Sequence, residues 1–547
     1  MTQTEDAPSE RDGATVGGVR MARRADRRSD DDFISHGITN GIASSYGSIP
    51  SSNPASSSPS KSSPNSSTRA LAPDLLRGFL MLTMALDHTA LALNTWEHGT
   101  GRTSEMDGAV VTSWNRRAAY LVRSLTHLCA PGFTFLLGVG VVYLGRSRTR
   151  LGWSSGRIAR YFAVRCGVLT VVNVVLGLAV SAGEVWFMNF VLFALAVDYF
   201  LAGMLWLVID ETEPLLARSI SGLLPDDANL LQDDAEEPLL RPSPTPQSPR
   251  VSTRVSTRAS TMSWHIHNAL LGIVSLVTIW WNHWLSPTGG HCDVQSNDNN
   301  FMPTTAPGPG LDTPAISHHP LLGIWFWVVE SKRVMSPFPP LAWLSFAIVG
   351  LLYARIILAR PWSRRDIALG HSLVGLLFFI FFVLTRVLRF GNLSEGCLHT
   401  PEHDKHPNQN PYLVSGQSFF YIIKYPPDVA FWAFTLAGNF FLLALFGGFP
   451  VRISQRLTIL LDFGRAALFF YIAHLFAVFI FGAVLVRLFG HDVGIPSPQD
   501  PDNSKGIDNV WAYLTIWAAL MLLLWPATRW YSRFKSTKPA DSIWRFF

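Results

Sequence analysis

Two membrane-length apolar runs near the start of the chain carry acidic, basic and imidazole groups inside them. The first contains DLLRGFLMLTMALDH, residues 74 to 88, and the second contains RSLTHLCAPGFTFLLGVG, residues 123 to 140. An ionisable side chain in hydrocarbon is costly unless it is paired or hydrated, so a membrane helix that keeps such groups is a candidate functional site. The two runs therefore predict a membrane protein, and most simply a membrane enzyme.

The composition of the whole chain agrees with a membrane protein. Of its 547 residues, 48% are hydrophobic and 15% are charged, and the aromatic residues include 19 Trp and 36 Phe. This apolar content exceeds what a soluble surface normally tolerates. The net charge of +5 is explained by membrane orientation, so no nucleic-acid partner is expected.

Ten apolar runs have about the 20 residues that are needed to cross a hydrocarbon core of roughly 30 Å. They lie near residues 72–94, 124–145, 162–182, 185–209, 265–285, 339–359, 367–388, 428–448, 464–487 and 509–529. The predicted fold class is therefore all-α, a polytopic membrane helical bundle of about ten transmembrane helices embedded in the lipid bilayer.

Basic residues in the short loops predict the orientation of the bundle. Arginines and lysines follow runs two, six, eight and ten, and all four sets fall on one side of the membrane. Because cytosolic loops are enriched in Lys and Arg, this side should be cytosolic, and an even number of spans places both termini there. The membrane is expected to be an endomembrane of the vacuole or lysosome type, which an acidic-dileucine pattern at 211–216 favours, or the plasma membrane.

Loops on the opposite side carry residues that suit an oxidising compartment. Cys292 and Cys397 lie in the two longest of these loops, and the sequon at Asn392 predicts a glycosylation site beside Cys397. The two cysteines either form a disulfide or remain unpaired thiols, because the sequence cannot show whether the loops touch.

Two polar segments interrupt the apolar pattern. Residues 1–70 are rich in Ser, Arg, Asp and Pro, bury too little apolar surface to fold, and predict a disordered cytosolic tail. A second disordered cytosolic insert is predicted at 210–263, within a transmembrane domain of 71–535. A short cytosolic tail is expected at 536–547.

The first run places its ionisable groups on one stripe of a helix. Arg77 and His88 are eleven residues apart, close to three turns and about 16 Å, and Asp74 can pair with Arg77 at the cytosolic end. His88 then lies near mid-membrane, where its imidazole can act as general base or nucleophile. Asp87 could orient it, although adjacent helical residues point about 100 degrees apart. The alternative is that His88 only bonds a neighbouring helix.

The second run carries another pair of ionisable residues. Arg123 and His127 are four residues apart and share one helical face, as either a site wall or an interface anchor. Gly138 and Gly140, farther along the same run, indicate close helix packing rather than a phosphate-binding loop.

Later candidates for binding follow in the last four runs. Arg386, Lys424 and Tyr425 could contact the oxygens of an acceptor or the pyrophosphate of a donor, or their charges could reach lipid head groups instead. His474, deep in run nine, is a second candidate pocket histidine. No metal is expected, because no group of residues has metal-ligand spacing.

Five ordered motifs are similar to those of a known family. DLLRG…DH and THLCAPGFTFLLG are followed by RVLRFGN (386–392), KYPPDVAF (424–431) and FGRAALFFYIAHL (463–475). Together they resemble the catalytic-domain family of heparan-alpha-glucosaminide N-acetyltransferases, in its uncharacterised branch, over about residues 70–530. In the wider superfamily of multi-span acyltransferases, an Arg-Gly pair precedes a histidine by eleven residues, and Arg77, Gly78 and His88 reproduce that pattern.

The resemblance implies an acyltransferase with acetyl-CoA as co-substrate. His88 is then the expected catalytic residue, His98 in the following loop is the alternative catalytic base, and Arg123 and His127 line the site. The insert at 210–263 and the Asp87-His88 pair depart from the glucosaminide-type pattern, so a heparan-type acceptor does not follow.

Two classes of function remain from the sequence. The first is a multi-pass acyltransferase that moves an acetyl group from acetyl-CoA to an amine or hydroxyl of a sugar-like acceptor across the membrane. The alternative is a transporter or permease of a small solute, since buried charges and ten spans are equally ordinary there, or a non-catalytic membrane scaffold. No internal repeat at half-chain period is visible, which favours the enzyme. The acceptor, the acyl length and a homo-oligomeric state are left open.

Overall fold

The computed structural model describes residues 71–181, 183, 185–189, 191–223, 256–286, 288–292, 320–330, 333–497, 502–539, 542 and 544. Within these ranges, ten helical segments are long and apolar enough to cross a membrane. The predicted all-α, multi-pass fold is therefore confirmed. The tail predicted at 1–70 lies outside the described residues.

The described residues form sixteen α-helices, of which α2 and α3 together make the second span and several others are short loop helices. In chain order they are α1 Leu71–Ala92, α2 Arg117–Thr126, α3 Cys129–Arg150, α4 Ser155–Val180, α5 Leu192–Leu223, α6 Thr257–Trp284, α7 Pro320–Phe326, α8 Pro340–Ile357, α9 Arg364–Val387, α10 Pro401–Lys405, α11 Gly416–Phe420, α12 Val429–Gly448, α13 Val451–Arg456, α14 Thr458–Arg465, α15 Ala467–Phe489 and α16 Val510–Thr537.

Short strands connect the loops at one end of the bundle. β1 (Phe187–Met188) pairs in parallel with β3 (Val334–Ser336), which pairs antiparallel with β2 (Val329–Glu330). Between α15 and α16, β4 (His491–Asp492) pairs antiparallel with β5 (Lys505–Gly506). A disulfide joins Cys292 to Cys397 in this region, with the two Cα atoms 4.9 Å apart. We call this end of the bundle, with loops 93–116 and 388–428, the disulfide face. The opposite end, where α3 ends at Arg150, α9 begins at Arg364 and α13 ends at Arg456, is called the arginine face.

The side chain of Asn392 contradicts the predicted glycosylation site. Asn392 is 3% exposed, and its Nδ2, the atom that would carry a glycan, donates a hydrogen bond to the carbonyl oxygen of Thr385 at 2.9 Å. Its Oδ1 accepts a hydrogen bond from Arg386 at 2.8 Å. The sequon is therefore an internal polar contact of the folded protein, because a glycan has no space at this nitrogen.

Helix α1 lies at the centre of the bundle. In α1, 72% of the residues in its 18-residue apolar stretch are buried. The corresponding share is 17% in α9 and α16, which expose apolar side chains outward. Glycines allow close backbone contact between α1 and α14, since a Cβ at Gly464 would lie 2.0 Å from the carbonyl oxygen of Asp74. The ionisable residues of α1 are therefore enclosed by protein rather than by lipid.

The end of α1 sets the depth of His88 in the bundle. Ala92, the last residue of α1, contacts Gly482 of α15, which is seven residues before the end of α15 at Phe489. At a rise of about 1.5 Å per residue, α1 stops roughly 10 Å short of the end of its neighbour. The loop after α1 therefore enters the bundle, and His88 lies inside it rather than at its surface.

Helices α5 and α6 extend farther than the apolar runs suggested. The insert predicted at 210–263 is wrong at both ends, because α5 continues to Leu223 and α6 begins at Thr257. Polar contacts stabilise these extensions: Ser263 Oγ donates to the carbonyl oxygen of Glu213 at 2.8 Å. Hydropathy predicts which residues can contact lipid, whereas the position of a helix end depends on hydrogen bonds and packing. Residues 224–255 of the insert lie outside the described residues.

We expect opposite effects of alanine at two glycines of α3. A Cβ at Gly138 would lie 2.0 Å from the carbonyl oxygen of Ala347, whereas a Cβ at Gly140 meets nothing within 4 Å. Gly138→Ala should therefore lower the free energy of unfolding by about 1–3 kcal/mol, because α3 and α8 must separate. Gly140→Ala, the matched control, should be neutral or stabilise the helix by up to about 1 kcal/mol. Thermal unfolding in detergent measures both, and equal effects would contradict the close helix contact.

Candidate functional site

A buried arginine organises the polar residues on the disulfide side of α1. Arg123 is 2% exposed, and its Nη2 and Nε donate hydrogen bonds to Glu105 Oε2 at 2.8 and 3.1 Å. Its Nη1 donates to Asp87 Oδ2 at 2.8 Å. One guanidinium thus compensates two carboxylates from separate segments, and we call Asp87, His98, Glu105 and Arg123 the Arg123 network.

Glu105 is the member of this network that the sequence did not single out. It is fully buried, and its Oε1 accepts hydrogen bonds from the backbone nitrogen and the hydroxyl of Thr100 at 2.7 and 3.0 Å. Burial opposes the charge of Glu105, but Arg123 outweighs burial and lowers its pKa well below the ordinary value. A carboxylate in a loop normally contacts water, so Glu105 does not stand out in the sequence. The one feature that could have identified it is that an arginine in a membrane helix needs an acidic partner.

His98 lies in the network but is poorly suited to accept a proton. Its Nε2 is 3.0 Å from Arg123 Nη1, and because a guanidinium can only donate, the lone pair of Nε2 is occupied. Burial, together with the positive charge of Arg123, lowers the pKa of His98 to about 4. A histidine that resists protonation in this way is a positioning contact for Arg123 rather than an effective base.

We expect the stability of the protein to depend on His98 below neutral pH. The unfolded chain protonates this residue near pH 6.5, whereas the folded chain does so near pH 4. Between these values the unfolded state binds more protons, so the free energy of unfolding falls as the pH falls, by about 2 kcal/mol from pH 7 to pH 5. His98→Gln should remove this component, which unfolding curves at several pH values measure.

Exposed His406 provides the control for that experiment, because His406→Gln should leave the pH dependence unchanged. Asp428 changes the pH dependence of stability in the opposite direction, since burial raises its pKa to about 6. This contribution is the same in the wild-type protein, His98→Gln and His406→Gln, so it cancels in the comparison. Superimposable pH profiles for the wild-type protein and His98→Gln would contradict the assignment.

Two histidines on neighbouring helices form the second part of the site. His88 Nδ1 on α1 lies 2.9 Å from His474 Nε2 on α15, and His474 Nδ1 lies 3.0 Å from the carbonyl oxygen of Phe470. A carbonyl only accepts, so His474 Nδ1 must donate, and in the neutral ring its Nε2 must accept. His88 Nδ1 then donates, which leaves the lone pair on His88 Nε2.

His88 Nε2 is available for chemistry. It has no hydrogen-bond partner among the described residues, and unlike the two ring nitrogens of His127 it keeps accessible surface. The hydrogen bond to His474 thus fixes both the orientation of the ring and the position of its proton. An imidazole in this state can accept a proton from a group placed at Nε2.

The structure assigns Asp87 a different partner from the one considered in the sequence. Its Oδ2 accepts a hydrogen bond from Arg123 at 2.8 Å and lies 3.9 Å from His98 Nε2, while the partner of His88 is His474. Asp87 therefore does not pair directly with His88, as expected for adjacent helical residues, which point in different directions. Asp87 anchors Arg123 to α1 instead.

His127 forms part of the wall beside the network. It is fully buried, its Nε2 lies 3.5 Å from Glu105 Oε1, and its ring meets the ring of Phe431 edge-on with centroids 5.6 Å apart. Neither ring nitrogen has a hydrogen-bond partner among the described residues. His127 is thus enclosed by protein next to Glu105 and Phe431.

Lys424 and Tyr425 are held next to the network by their backbone. The amide nitrogens of both residues donate to the carbonyl oxygen of Glu105 at 3.0 and 3.1 Å. Lys424 is 6% exposed, and its Nζ lies 5.6 Å from the ring centre of Phe338 and 5.0 Å from that of Tyr425. It makes no ion pair with a described residue, and its positive charge interacts electrostatically with Asp87 and His88.

Arg386 is not brought to this site, which contradicts its predicted role in binding. It is fully buried, its Nη1 donates to Asn392 at 2.8 Å, and its Nη2 donates to the carbonyl oxygen of Tyr421 at 2.6 Å. Its guanidinium also lies over the ring of Tyr412, 4.5 Å from the centroid. These contacts stabilise the loop on the disulfide face. Arg386 Nε has no hydrogen-bond partner among the described residues, but the side chain is fully buried and exposes no surface to a substrate.

Asp74 and Arg77 lie at the other end of α1. Arg77 Nη1 lies 3.3 Å from both Asp74 Oδ1 and the carbonyl oxygen of Gly464, and Arg465 Nε lies 3.9 Å from Asp74 Oδ2. The expected pairing within α1 is present. The eleven residues to His88 correspond to about 16 Å along the helix, so Arg77 and His88 could contact only opposite ends of a long ligand.

The ten spans and the charges enclosed between them define a multi-pass membrane helical protein with a polar site inside the bundle. Among the described ranges, no group of three or more His, Cys, Asp or Glu residues is arranged to hold a metal ion. No family model and no curated protein matches this sequence. The function is therefore inferred from the residues of the site.

Proposed function

We propose that the protein is a membrane acyltransferase that moves an acetyl group from acetyl-CoA to an amine or hydroxyl of a sugar-like acceptor. The observation that carries this proposal is the His88–His474 hydrogen bond, which leaves an unprotonated Nε2 inside the bundle. The sequence motifs that resemble the heparan-alpha-glucosaminide N-acetyltransferase family support the same reaction.

The proposed reaction begins when His88 Nε2 accepts the proton of the acceptor's amine or hydroxyl. The acceptor's nitrogen or oxygen forms a bond to the thioester carbonyl carbon, and the carbon–sulfur bond then breaks. The proton held on His88 passes to the departing thiolate, so that the imidazole returns to its starting state. Because the same ring takes and returns one proton, no other acid or base is required.

The two ends of α1 suit the two substrates of this reaction. An acyl-CoA from the arginine face would meet Arg77 first, and its thioester would have to reach His88 about 16 Å farther along the helix. On the disulfide face, the ammonium of Lys424 could donate to an oxygen of the acceptor or to the developing oxyanion. Arg123 has both of its carboxylates and His98 as partners, so Lys424 is the better candidate for direct contact.

The experiment is an acyl-transfer assay with the purified full-length chain. Radiolabelled acetyl-CoA is supplied with a panel of amino sugars and neutral sugars, and transfer of the label to the sugar is measured. The intact chain and the His406→Ala variant, altered at an exposed loop histidine, should transfer the label, while His88→Ala should not. No labelled sugar and no thioester cleavage by the intact chain would overturn the proposal.

One observation favours the second candidate function, a proton-coupled transporter. Asp198 of α5 is fully buried, and neither of its carboxylate oxygens has a hydrogen-bond partner among the described residues. Buried acids of this kind mark proton pathways in many transporters. Proteoliposomes that contain a trapped pH-sensitive dye would test this function, because solute-dependent proton flux that is lost in Asp198→Asn, without acyl transfer, would favour the transporter.

A further inference from the structure

A polar cavity lies away from the histidine pair, close to the arginine face. It has a volume of about 250 Å³ and lies between α3, α5, α6 and α8. Its charged residues are Arg146, Asp210, Glu213 and Arg355. Ligand pockets for drug-sized molecules usually have about 300–1,000 Å³, so this cavity suits a smaller group, of the size of a lipid head group or a short metabolite.

One cation and one anion of the cavity already have partners. Arg355 Nη2 forms an ion pair with Glu213 Oε2 at 2.6 Å, and Arg355 Nε donates to Asn268 Oδ1 at 2.7 Å. The side chain of Arg355 is 10% exposed. This partly buried pair links α5 to α8 and forms a wall of the cavity rather than its open binding group.

The other cation and anion remain available. Arg146 donates from Nη1 to the carbonyl oxygen of Leu358 at 3.1 Å, which leaves the donors of its other terminal nitrogen for a ligand. The Asp210 carboxylate has no hydrogen bond or ion pair with a described residue. Pro214, which also lines the cavity, has no N–H, so the carbonyl of Asp210 four residues earlier loses its usual helical donor.

Two tryptophans complete the recognition surface. Trp206 and Trp264 line the same cavity, and an indole ring attracts an ammonium group over its face. Trp side chains are also common at the depth of lipid head groups. Trp206 is 3% exposed and packs against Gly145, so Trp264 is the indole with exposed surface. The open groups are thus one guanidinium for an anion, and one carboxylate and one indole for a cation.

We propose that this cavity binds a zwitterionic phosphate–ammonium group, with Arg146 on the phosphate and Asp210 and Trp264 on the ammonium. A phosphatidylethanolamine or phosphatidylcholine head group has this chemistry, and so does a free phosphoethanolamine. A zwitterion matches both the Arg146 side and the Asp210 side of the cavity, whereas a purely anionic or purely cationic ligand matches only one of them. This inference does not depend on acyl transfer at His88.

The test measures binding to the purified full-length chain in detergent, without acyl-CoA. Short-chain phosphatidylethanolamine, short-chain phosphatidylglycerol, free phosphoethanolamine and ethanolamine are compared by their shift of the thermal unfolding midpoint and by native mass spectrometry. The zwitterionic lipid should bind at least tenfold more tightly than phosphatidylglycerol or ethanolamine. Binding of free phosphoethanolamine with equal strength would identify a soluble ligand, and much weaker binding would identify the lipid; both support the cavity chemistry.

Variants locate the binding. Arg146→Gln and Asp210→Asn should each weaken binding of the zwitterionic probe at least tenfold, while Arg365→Gln and Asp366→Asn, on the same face but outside the cavity, should not. Ser260→Trp fills the cavity without removing a charge and should also abolish binding. Binding that survives Arg146→Gln, Asp210→Asn and Ser260→Trp would overturn the proposal. Displacement of the lipid by coenzyme A would also overturn it, because the cavity would then belong to the acyl donor.

Discussion

Replacing His88 with glutamine is expected to lower the rate of acyl transfer by about 10²- to 10⁴-fold, the usual contribution of a general base. Glutamine has a similar length and can still donate a hydrogen bond to His474 Nε2, which lies 2.9 Å from the present ring. It cannot accept a proton at neutral pH. The substitution therefore removes the proposed chemistry and keeps most of the packing.

Replacing His474 with phenylalanine should have a smaller effect on the same assay. The aromatic ring is retained next to Phe470, whose ring is stacked on that of His474 with centroids 5.1 Å apart, but the acceptor for His88 Nδ1 is lost. By analogy with groups that orient metal-bound histidines, we expect a fall of about 10- to 100-fold. The fall should appear in kcat rather than in KM, because His474 does not contact the acceptor in this mechanism.

The order of these effects distinguishes a catalytic pair from a structural one. If His88 and His474 only join α1 to α15, both variants should lose thermal stability together and keep full activity per folded molecule. If the pair is catalytic, His88→Gln should remain folded, with an unfolding midpoint near that of His406→Gln, while transfer is lost. Transfer rates in His88→Gln within a few-fold of wild type would exclude His88 as the base.

The sequence predicted the architecture because lipid imposes simple conditions on a chain. A span must be about 20 residues long and must form all of its backbone hydrogen bonds internally. Apolar runs of that length therefore locate the helices closely. The same reasoning failed at the ends of α5 and α6, where Glu213 and Ser263 hold helical turns outside the apolar runs. Helix ends depend on contacts between residues that are distant in the sequence, and hydropathy does not predict these contacts.

Several residues of the candidate site were predictable from the sequence, but their pairing was not. Helical spacing placed His88, Arg123 and His127 in the correct runs, and His474 was expected as a second pocket histidine. The hydrogen bond that makes His88 useful joins residues 386 positions apart, which no local spacing reveals. Glu105 was missed because a loop carboxylate looks solvated until a membrane arginine is found beside it.

Replacing Arg123 with methionine is expected to lower the free energy of unfolding by about 3–5 kcal/mol, the usual cost of removing one partner from a buried ion pair. Glu105 and Asp87 would lose donors at 2.8 Å, and Glu105 cannot reach water because it is fully buried. The double variant Arg123→Met with Glu105→Gln should recover part of the loss, because the most deeply buried uncompensated charge is then removed. Chemical or thermal unfolding in detergent measures all three proteins.

Arg102 is the matched control, because it is in the neighbouring loop and also faces a carboxylate. Its Nε lies 3.7 Å from Glu97 Oε2, but its side chain is 67% exposed. An exposed ion pair contributes about 0–1 kcal/mol, so Arg102→Met should change stability by less than a third of the effect at Arg123. Equal losses at the two positions would mean that water reaches the Arg123 network freely. The low pKa of His98, the enclosed carboxylate of Glu105 and the polar site inside the bundle all depend on that water being excluded.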